Sequence, residues 1–137
     1  MTPELLKART KAFAVRVITA CEALPNNLVG RTIGGQLIRS GTSVGSNYRA
    51  ACRSRSAAEF VARMGAVEEE ADESDYWMEL LSEKRVIKPA RLAPLLPEAG
   101  ELCAIAGKSR MTASRNAGAR SLTNRKSEIG NRKSRVP

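Results

Sequence analysis

The chain of 137 residues contains no histidine, and aromatic residues make up only 4% of it. Histidine is the commonest metal ligand and the commonest general base in proteins, so its absence argues against the usual forms of both sites. With so few aromatic residues, a core has to be built from Leu, Ile, Val and Ala, which suits closely packed helices better than a sandwich of strands. The sequence therefore predicts a helical domain with no metal and no cofactor.

Cysteine and long apolar runs are also scarce. The three cysteines, Cys21, Cys52 and Cys103, are far apart and show no C-x-x-C spacing, which predicts reduced thiols rather than a disulfide framework or a reactive site. No run of apolar residues is long enough to span a membrane, and the N-terminal residues carry charges throughout instead of the apolar core of a signal peptide. We expect a cytoplasmic protein with no membrane contact.

Positive charge is concentrated at one end of the chain. The formal net charge is +9, yet residues 1–107 hold 14 basic and 13 acidic side chains, while residues 108–137 hold 9 basic side chains and a single acid, Glu128. The terminal part also repeats "NRKS" at a spacing of seven residues and has little apolar surface to bury. We predict one domain over residues 1–112 and a disordered, basic tail over 113–137, which is either a nonspecific nucleic-acid arm or a passive appendage.

Apolar residues at helical spacing divide the domain into four segments. The first begins at Thr2 and Pro3 and ends at "LPNN"; the second runs from about Val29 to Arg53. The third runs from about Ala57 to Lys84 after the capping-box pattern "SAAE", and the fourth from about Pro89 to Ser109 with an irregular start. Four helices with short connections predict an all-α fold, an up-down-up-down four-helix bundle.

The stretch "LIRSGTSVGSNYRAA" in the second segment has the composition of a phosphate-binding loop. Gly41 and Gly45 do not match the Walker spacing, however, and no lysine follows them. Leu37, Val44 and Tyr48 continue a helical stripe through the glycines, which favours one helix, bent near Gly41, over two helices joined by a loop. Glycines here would let a neighbouring helix approach closely.

The third segment has an acidic face that could meet the arginines of the second. Glu68, Asp72, Asp75 and Glu79 share this face, but a di-iron site in a helical bundle needs Glu-x-x-His motifs, which the chain lacks. An ion-paired or solvated face is therefore favoured over a metal or hydrolase site. The arginines, which could instead bind a nucleic-acid backbone, are Arg39, Arg49, Arg53 and Arg55.

Together, "QLIRSGTSVGSN" and "EADESDYW" resemble motifs of the four-helix bundle proteins encoded in intervening sequences of bacterial 23S ribosomal RNA genes. The resemblance covers about Leu6 to Lys108. It matches the family's polar motif at Arg39, Ser40, Ser43, Asn47 and Arg49, and its acidic motif at Glu70, Asp72, Glu73, Tyr76 and Trp77.

This family is similar to the accessory protein of diversity-generating retroelements, a pentameric barrel of four-helix bundles that binds nucleic acid. The resemblance thus implies a homopentamer without an active site, with RNA or DNA as a partner. Arg39, Arg49, Arg53 and Arg55 are the predicted nucleic-acid contacts. The remaining motif residues are predicted to hold helices or protomers together. The alternative is a self-assembling protein-interaction scaffold that binds no nucleic acid.

Overall fold

The protein is described here by a computed structural model, which covers the backbone of residues 1–134 and the side chains of residues 1–130. It contains α1 (Pro3–Glu22), α2 (Leu28–Cys52), α3 (Ala57–Glu83) and α4 (Leu95–Ser134), with a 3₁₀ turn at Pro89–Arg91 before α4. Each helix packs against the next along the chain, and α4 returns beside α1. No strand occurs in residues 1–134. The predicted all-α, up-down-up-down four-helix bundle is confirmed.

Side-chain caps fix where three of the helices begin. The Thr2 hydroxyl accepts the Leu5 amide at 3.2 Å, and the Asn27 side chain accepts the Gly30 amide at 2.9 Å. Ser56 accepts the Glu59 amide at 3.0 Å. Each cap satisfies a backbone N–H that has no partner within the helix, which stabilises the helix by roughly 0.5–2 kcal/mol.

The last turn of α3 closes with a left-handed residue, Arg85, at φ 51°. Its amide donates to the Ser82 carbonyl at 3.1 Å, and the Val86 amide donates to the Leu81 carbonyl at 3.0 Å. These two bonds form a Schellman motif, in which glycine is the usual left-handed residue. The motif turns the chain sharply toward the 3₁₀ turn.

One hydrophobic core runs between the four helices. Residues at helical spacing in α3 form a stripe that is buried from Met64 to Leu81, and Phe60 one turn before it is half-buried. In α1 the buried set includes Thr10, whose hydroxyl donates to the Leu6 carbonyl at 2.9 Å. The larger apolar side chains that are fully shielded from solvent are Phe13, Val17, Leu37, Val44, Met64, Met78, Leu81 and Leu92.

Helix α2 is continuous through its glycines, which confirms the single-helix prediction. The reason for Gly41 is close packing, since a Cβ at this position would lie 2.9 Å from Val17 Cγ1 and 3.2 Å from Val17 Cβ. At Gly45 a Cβ would lie 3.3 Å from Thr10 Oγ1. The backbones of α1 and α2 can approach this closely only because these positions carry no side chain.

Helix α4 starts irregularly, as predicted, and its backbone continues well beyond the bundle. Pro97 occupies the first turn, where its missing N–H costs no helical hydrogen bond. Beyond Arg110 no described side chain is buried, and from Gly118 to Gly130 all are exposed. The sequence predicts a disordered tail over residues 113–137, because its composition offers nothing to bury, whereas the described backbone is helical as far as Ser134. Residues 135–137 of that predicted tail lie outside the described residues.

Candidate functional site

The two polar motifs of α2 and α3 meet at a pair of buried hydroxyls. Ser40 and Ser74 are both fully buried, and their Oγ atoms lie 2.9 Å apart across the α2–α3 interface. Ser74 Oγ also donates to the Glu70 carbonyl at 2.8 Å, and Ser40 Oγ reaches the Leu37 carbonyl at 3.3 Å. Because every hydroxyl has a partner, this polar pair can be buried without a large desolvation cost.

An ion-pair network covers this hydroxyl pair at the surface. The Arg39 guanidinium lies 3.2 Å from Glu70 Oε2 and also pairs with Glu73. Glu73 accepts a further hydrogen bond from Trp77 Nε1 at 3.2 Å. The hydrogen bond from Arg39 is the main reason why the pKa of Glu73 lies below its ordinary value, with Trp77 contributing less. The network joins α2 to α3 through charged groups that remain partly solvated.

Other motif residues bond within their own helix or face outward. Ser43 Oγ donates to the Arg39 carbonyl at 2.6 Å, and Asn47 Nδ2 donates to the Ser43 carbonyl at 2.9 Å. Asp72 and Tyr76 are exposed. Tyr76 packs edge-to-face on Trp77, with ring centroids 5.2 Å apart.

The four predicted nucleic-acid contacts do not lie together. Arg39 is held by the acidic helix, whereas Arg49, Arg53 and Arg55 are exposed near the other end of α2 and make no ion pair within the described residues. Arg53 is the C-terminal cap of α2, and the Arg55 amide donates to Glu59 Oε2 at 3.1 Å. Arg39 thus differs from the other three arginines in two ways: it lies elsewhere on α2, and it is already ion-paired.

Two further arginines, Arg9 and Arg110, form ion pairs between neighbouring helices, and sequence reasoning missed both. Arg9 of α1 binds both carboxylate oxygens of Glu98 on α4, at 3.1 and 3.0 Å from its Nε, and also pairs with Glu101. This hydrogen bonding lowers the pKa of Glu98. Arg110 of α4 lies 2.8 Å from Glu68 of α3. The helical pattern shows on which face of its own helix each residue lies, but it does not show which other helix packs against that face.

The cysteines and the carboxylates near them are the remaining groups of chemical interest. All three cysteines are unpaired, and burial raises the pKa of Cys21 to about 11. Burial, followed by the nearby charge of Asp72, raises the pKa of Cys103 and of Asp75. Within the described side chains, no group of three or more His, Cys, Asp or Glu residues could hold a metal ion. None of the described helices is long and apolar enough to cross a membrane.

Comparisons with known proteins agree on one family. Residues 6–108 match the family model described as 23S rRNA-intervening sequence protein. The chain is also similar to a crystallised protein of unknown function from the S23 ribosomal protein family of Bacteroides thetaiotaomicron, with 28% identity and a TM-score of 0.74. That alignment covers 81% of this chain and 99% of the other. No curated protein matches the chain.

Proposed function

Since the chain belongs to the family of 23S rRNA-intervening sequence proteins, we propose that it is a non-enzymatic accessory protein that forms a homo-oligomer and binds nucleic-acid backbones. The resemblance of this family to the pentameric accessory protein of diversity-generating retroelements supports a homopentamer. The proposal requires no cofactor or metal. A cytoplasmic location is part of the same proposal and rests on the sequence.

The observation that carries nucleic-acid binding is the set of arginines without carboxylate partners near the end of α2. Arg49, Arg53 and Arg55 are exposed, and none of them makes an ion pair within the described residues. Such side chains can neutralise phosphates and release counterions without first breaking a salt bridge. Arg39 is a poorer candidate, because a phosphate would have to displace both of its carboxylate partners.

The exposed continuation of α4 is a second source of positive charge. Arg115, Arg120 and Arg125 are exposed there, and the acid Glu128 is the only one in residues 108–137. This charge makes the continuation a candidate arm that binds phosphates without reading bases. Its contribution can be separated from that of the bundle by truncation.

The test is a titration of a labelled single-stranded RNA and a labelled DNA duplex with the full chain over a range of salt concentrations. We expect log K to fall linearly with log salt, by roughly 0.7 to 0.9 per phosphate neutralised. A chain ending at Ser114 is the matched comparison. An unchanged salt slope would remove the continuation from the interface, and no binding by either form in low salt would refute the proposal.

A self-assembling scaffold without nucleic-acid binding is the second candidate function. The observation that favours it is the presence of large apolar side chains exposed on α1 and α2, including Val15 at 53%, Ile18 at 40% and Ile38 at 39%. Apolar surface on neighbouring helices suits an interface between copies. Light scattering of the purified protein, with and without RNA, tests this reading. A pentamer would have five times the chain mass of 14.8 kDa. An oligomer that does not bind RNA in low salt would favour the scaffold function.

A further inference from the structure

The α1–α2 interface differs from the other three helix pairs of the bundle. Each of the other pairs is joined by an Arg–Glu ion pair on its outer edge: Arg9–Glu98, Arg39–Glu73 and Arg110–Glu68. The outer edge of the α1–α2 interface carries Lys7, Lys11 and Arg49 instead, and no carboxylate lines it. The charge of these three side chains is therefore compensated only in part, by the pairing of Lys7 with Glu4.

These cations line a defined groove of about 230 Å³, which we call the α1–α2 groove. Its lining from α1 has Lys7 and Lys11 one helical turn apart, and its lining from α2 has Thr42, Ser46 and Arg49 at three- and four-residue spacing. The remaining lining residues are small or buried: Thr10, Ala14 and Gly45. The groove is thus narrow, polar at its rim and closed beneath by close helix packing.

The groove's charged groups have little to hold them in place. Lys11 and Arg49 are exposed and make no ion pair or side-chain hydrogen bond within the described residues. Lys7 lies 3.4 Å from Glu4, whose side chain is 83% exposed, so this pair is weak. An anion entering the groove would therefore gain two unpaired cations and a third that is only loosely paired.

Two hydroxyls at the rim can complete the binding of an anion. Ser46 is exposed, and its hydroxyl donates only a long hydrogen bond of 3.3 Å to the Ser43 carbonyl. A phosphate oxygen can replace this weak acceptor at little cost. The Thr42 hydroxyl already donates its proton to the Ile38 carbonyl at 2.7 Å. It has only lone pairs left, so it contributes less to anion binding than Ser46. A phosphate prefers such a combination of charged and hydroxyl donors.

We propose that the α1–α2 groove binds a phosphodiester group of a nucleic-acid backbone, with Lys11 and Arg49 supplying charge and Ser46 a hydrogen bond. This inference rests on the proposed nucleic-acid function and adds to it a specific contact site that includes residues of α1. Recognition of a single phosphate carries no base information, so the site positions a strand without selecting its sequence.

The experiment compares two double variants of the full chain that remove equal charge. Lys11→Gln/Arg49→Gln removes the groove cations, and Lys88→Gln/Arg91→Gln removes two exposed cations at the 3₁₀ turn. Binding of a labelled single-stranded RNA is measured against salt. We expect the groove variant to bind at least about tenfold more weakly in low salt and its salt slope to shrink by about 0.7, the value for one phosphate on a single strand. The control variant should keep the wild-type slope.

The outcomes distinguish a failure of the groove proposal from a failure of nucleic-acid binding itself. If the wild-type chain binds RNA but both double variants bind equally weakly, the protein binds nucleic acid and the groove is not the specific contact site. If the wild-type chain does not bind RNA in low salt, both proposals fail. Ser46→Ala adds an independent readout: loss of a hydrogen bond should weaken binding by about two- to fivefold with an unchanged salt slope. No effect of Ser46→Ala on affinity would remove the hydroxyl from the proposal.

Discussion

Helix α2 places positive charge beside both of its neighbours, and the two sides differ in what meets that charge. Toward α3, Arg39 is paired with two glutamates above a buried hydroxyl pair. Toward α1, Arg49 lies with two lysines beside Gly45 and other small residues. The first side uses its polar groups to join helices. The second joins helices by close backbone approach, so its polar groups remain available to a ligand.

The largest expected effect tests whether close approach holds α1 to α2. Gly41→Ala places a methyl against Val17, which is fully buried and has a stiff β-branched side chain that cannot move aside easily. We expect a loss of about 1 to 3 kcal/mol in unfolding free energy, measured by chemical denaturation.

Gly35→Ala on the same helix is the matched control. A Cβ at Gly35 would have no neighbour within 4 Å, so the better helix propensity of alanine should stabilise the protein by about 0.5 to 1 kcal/mol. Equal effects of the two substitutions would show that α1 and α2 do not depend on the contact at Gly41.

A smaller effect is expected from the hydroxyl pair on the α3 side. Ser74→Ala removes the hydrogen bond to Ser40 and should cost about 1 kcal/mol in chemical denaturation. Ser82→Ala is the control, because the Ser82 hydroxyl is buried without a hydrogen-bond partner among the described residues. That substitution should be neutral or stabilising, and a comparable loss in both variants would argue against a specific role for the Ser40–Ser74 pair.

The Arg39 network should contribute less than the hydroxyl pair and should depend on pH. Glu73→Gln removes the charge that pairs with Arg39, whose side chain is 46% exposed, so we expect a loss of about 0.5 to 1 kcal/mol at neutral pH. Because the folded-state pKa of Glu73 lies below its ordinary value of 4.5, this contribution is present above pH 4.5 and is lost as the pH falls through the folded-state pKa.

Denaturation of wild type and Glu73→Gln at neutral and acidic pH checks this window. The difference in unfolding free energy between the two proteins should shrink below pH 4.5. Glu79→Gln, which removes an exposed carboxylate of the same helix, is the control and should show a smaller difference at neutral pH. A difference between wild type and Glu73→Gln that persists at acidic pH would contradict the role of the ion pair.

The smallest effect is expected on the α1 side. Lys11→Gln/Arg49→Gln should leave the unfolding free energy within about 0.5 kcal/mol of wild type, because neither residue makes an ion pair within the described part of the chain. Thermal unfolding of the variant measures this directly. A marked loss of stability would mean that these cations hold the helices together, and the contrast between the two sides of α2 would disappear.

Local signals in the sequence were sufficient to locate the four helices of the bundle, although not the continuation of α4 beyond it. The caps at Thr2 and Ser56 and the apolar stripe of α3 act within one turn or one helix, so they can be read without knowing the neighbours. The contact between Arg39 and the acidic motif could also be predicted, because α2 and α3 follow each other along the chain.

Contacts that depend on which helix faces which could not be predicted in this way. The Arg9–Glu98 pair joins residues far apart in sequence, and its height along the bundle depends on the lengths of the connections as well as on the helices. Lys7 and Lys11 have ordinary positions in α1, and only the packing of Gly45 against Thr10 places them opposite Arg49. The functional predictions for Arg49, Arg53 and Arg55 remain to be tested.

The projecting part of α4 also affects how the molecule moves through solution. At a rise of about 1.5 Å per residue, the backbone from Met111 to Ser134 extends by roughly 36 Å, more than the full length of α1. A protruding rod raises the frictional coefficient far more than the mass. The chain should therefore elute early in gel filtration, as if it were larger, and an elution volume alone would overstate the number of copies in an assembly.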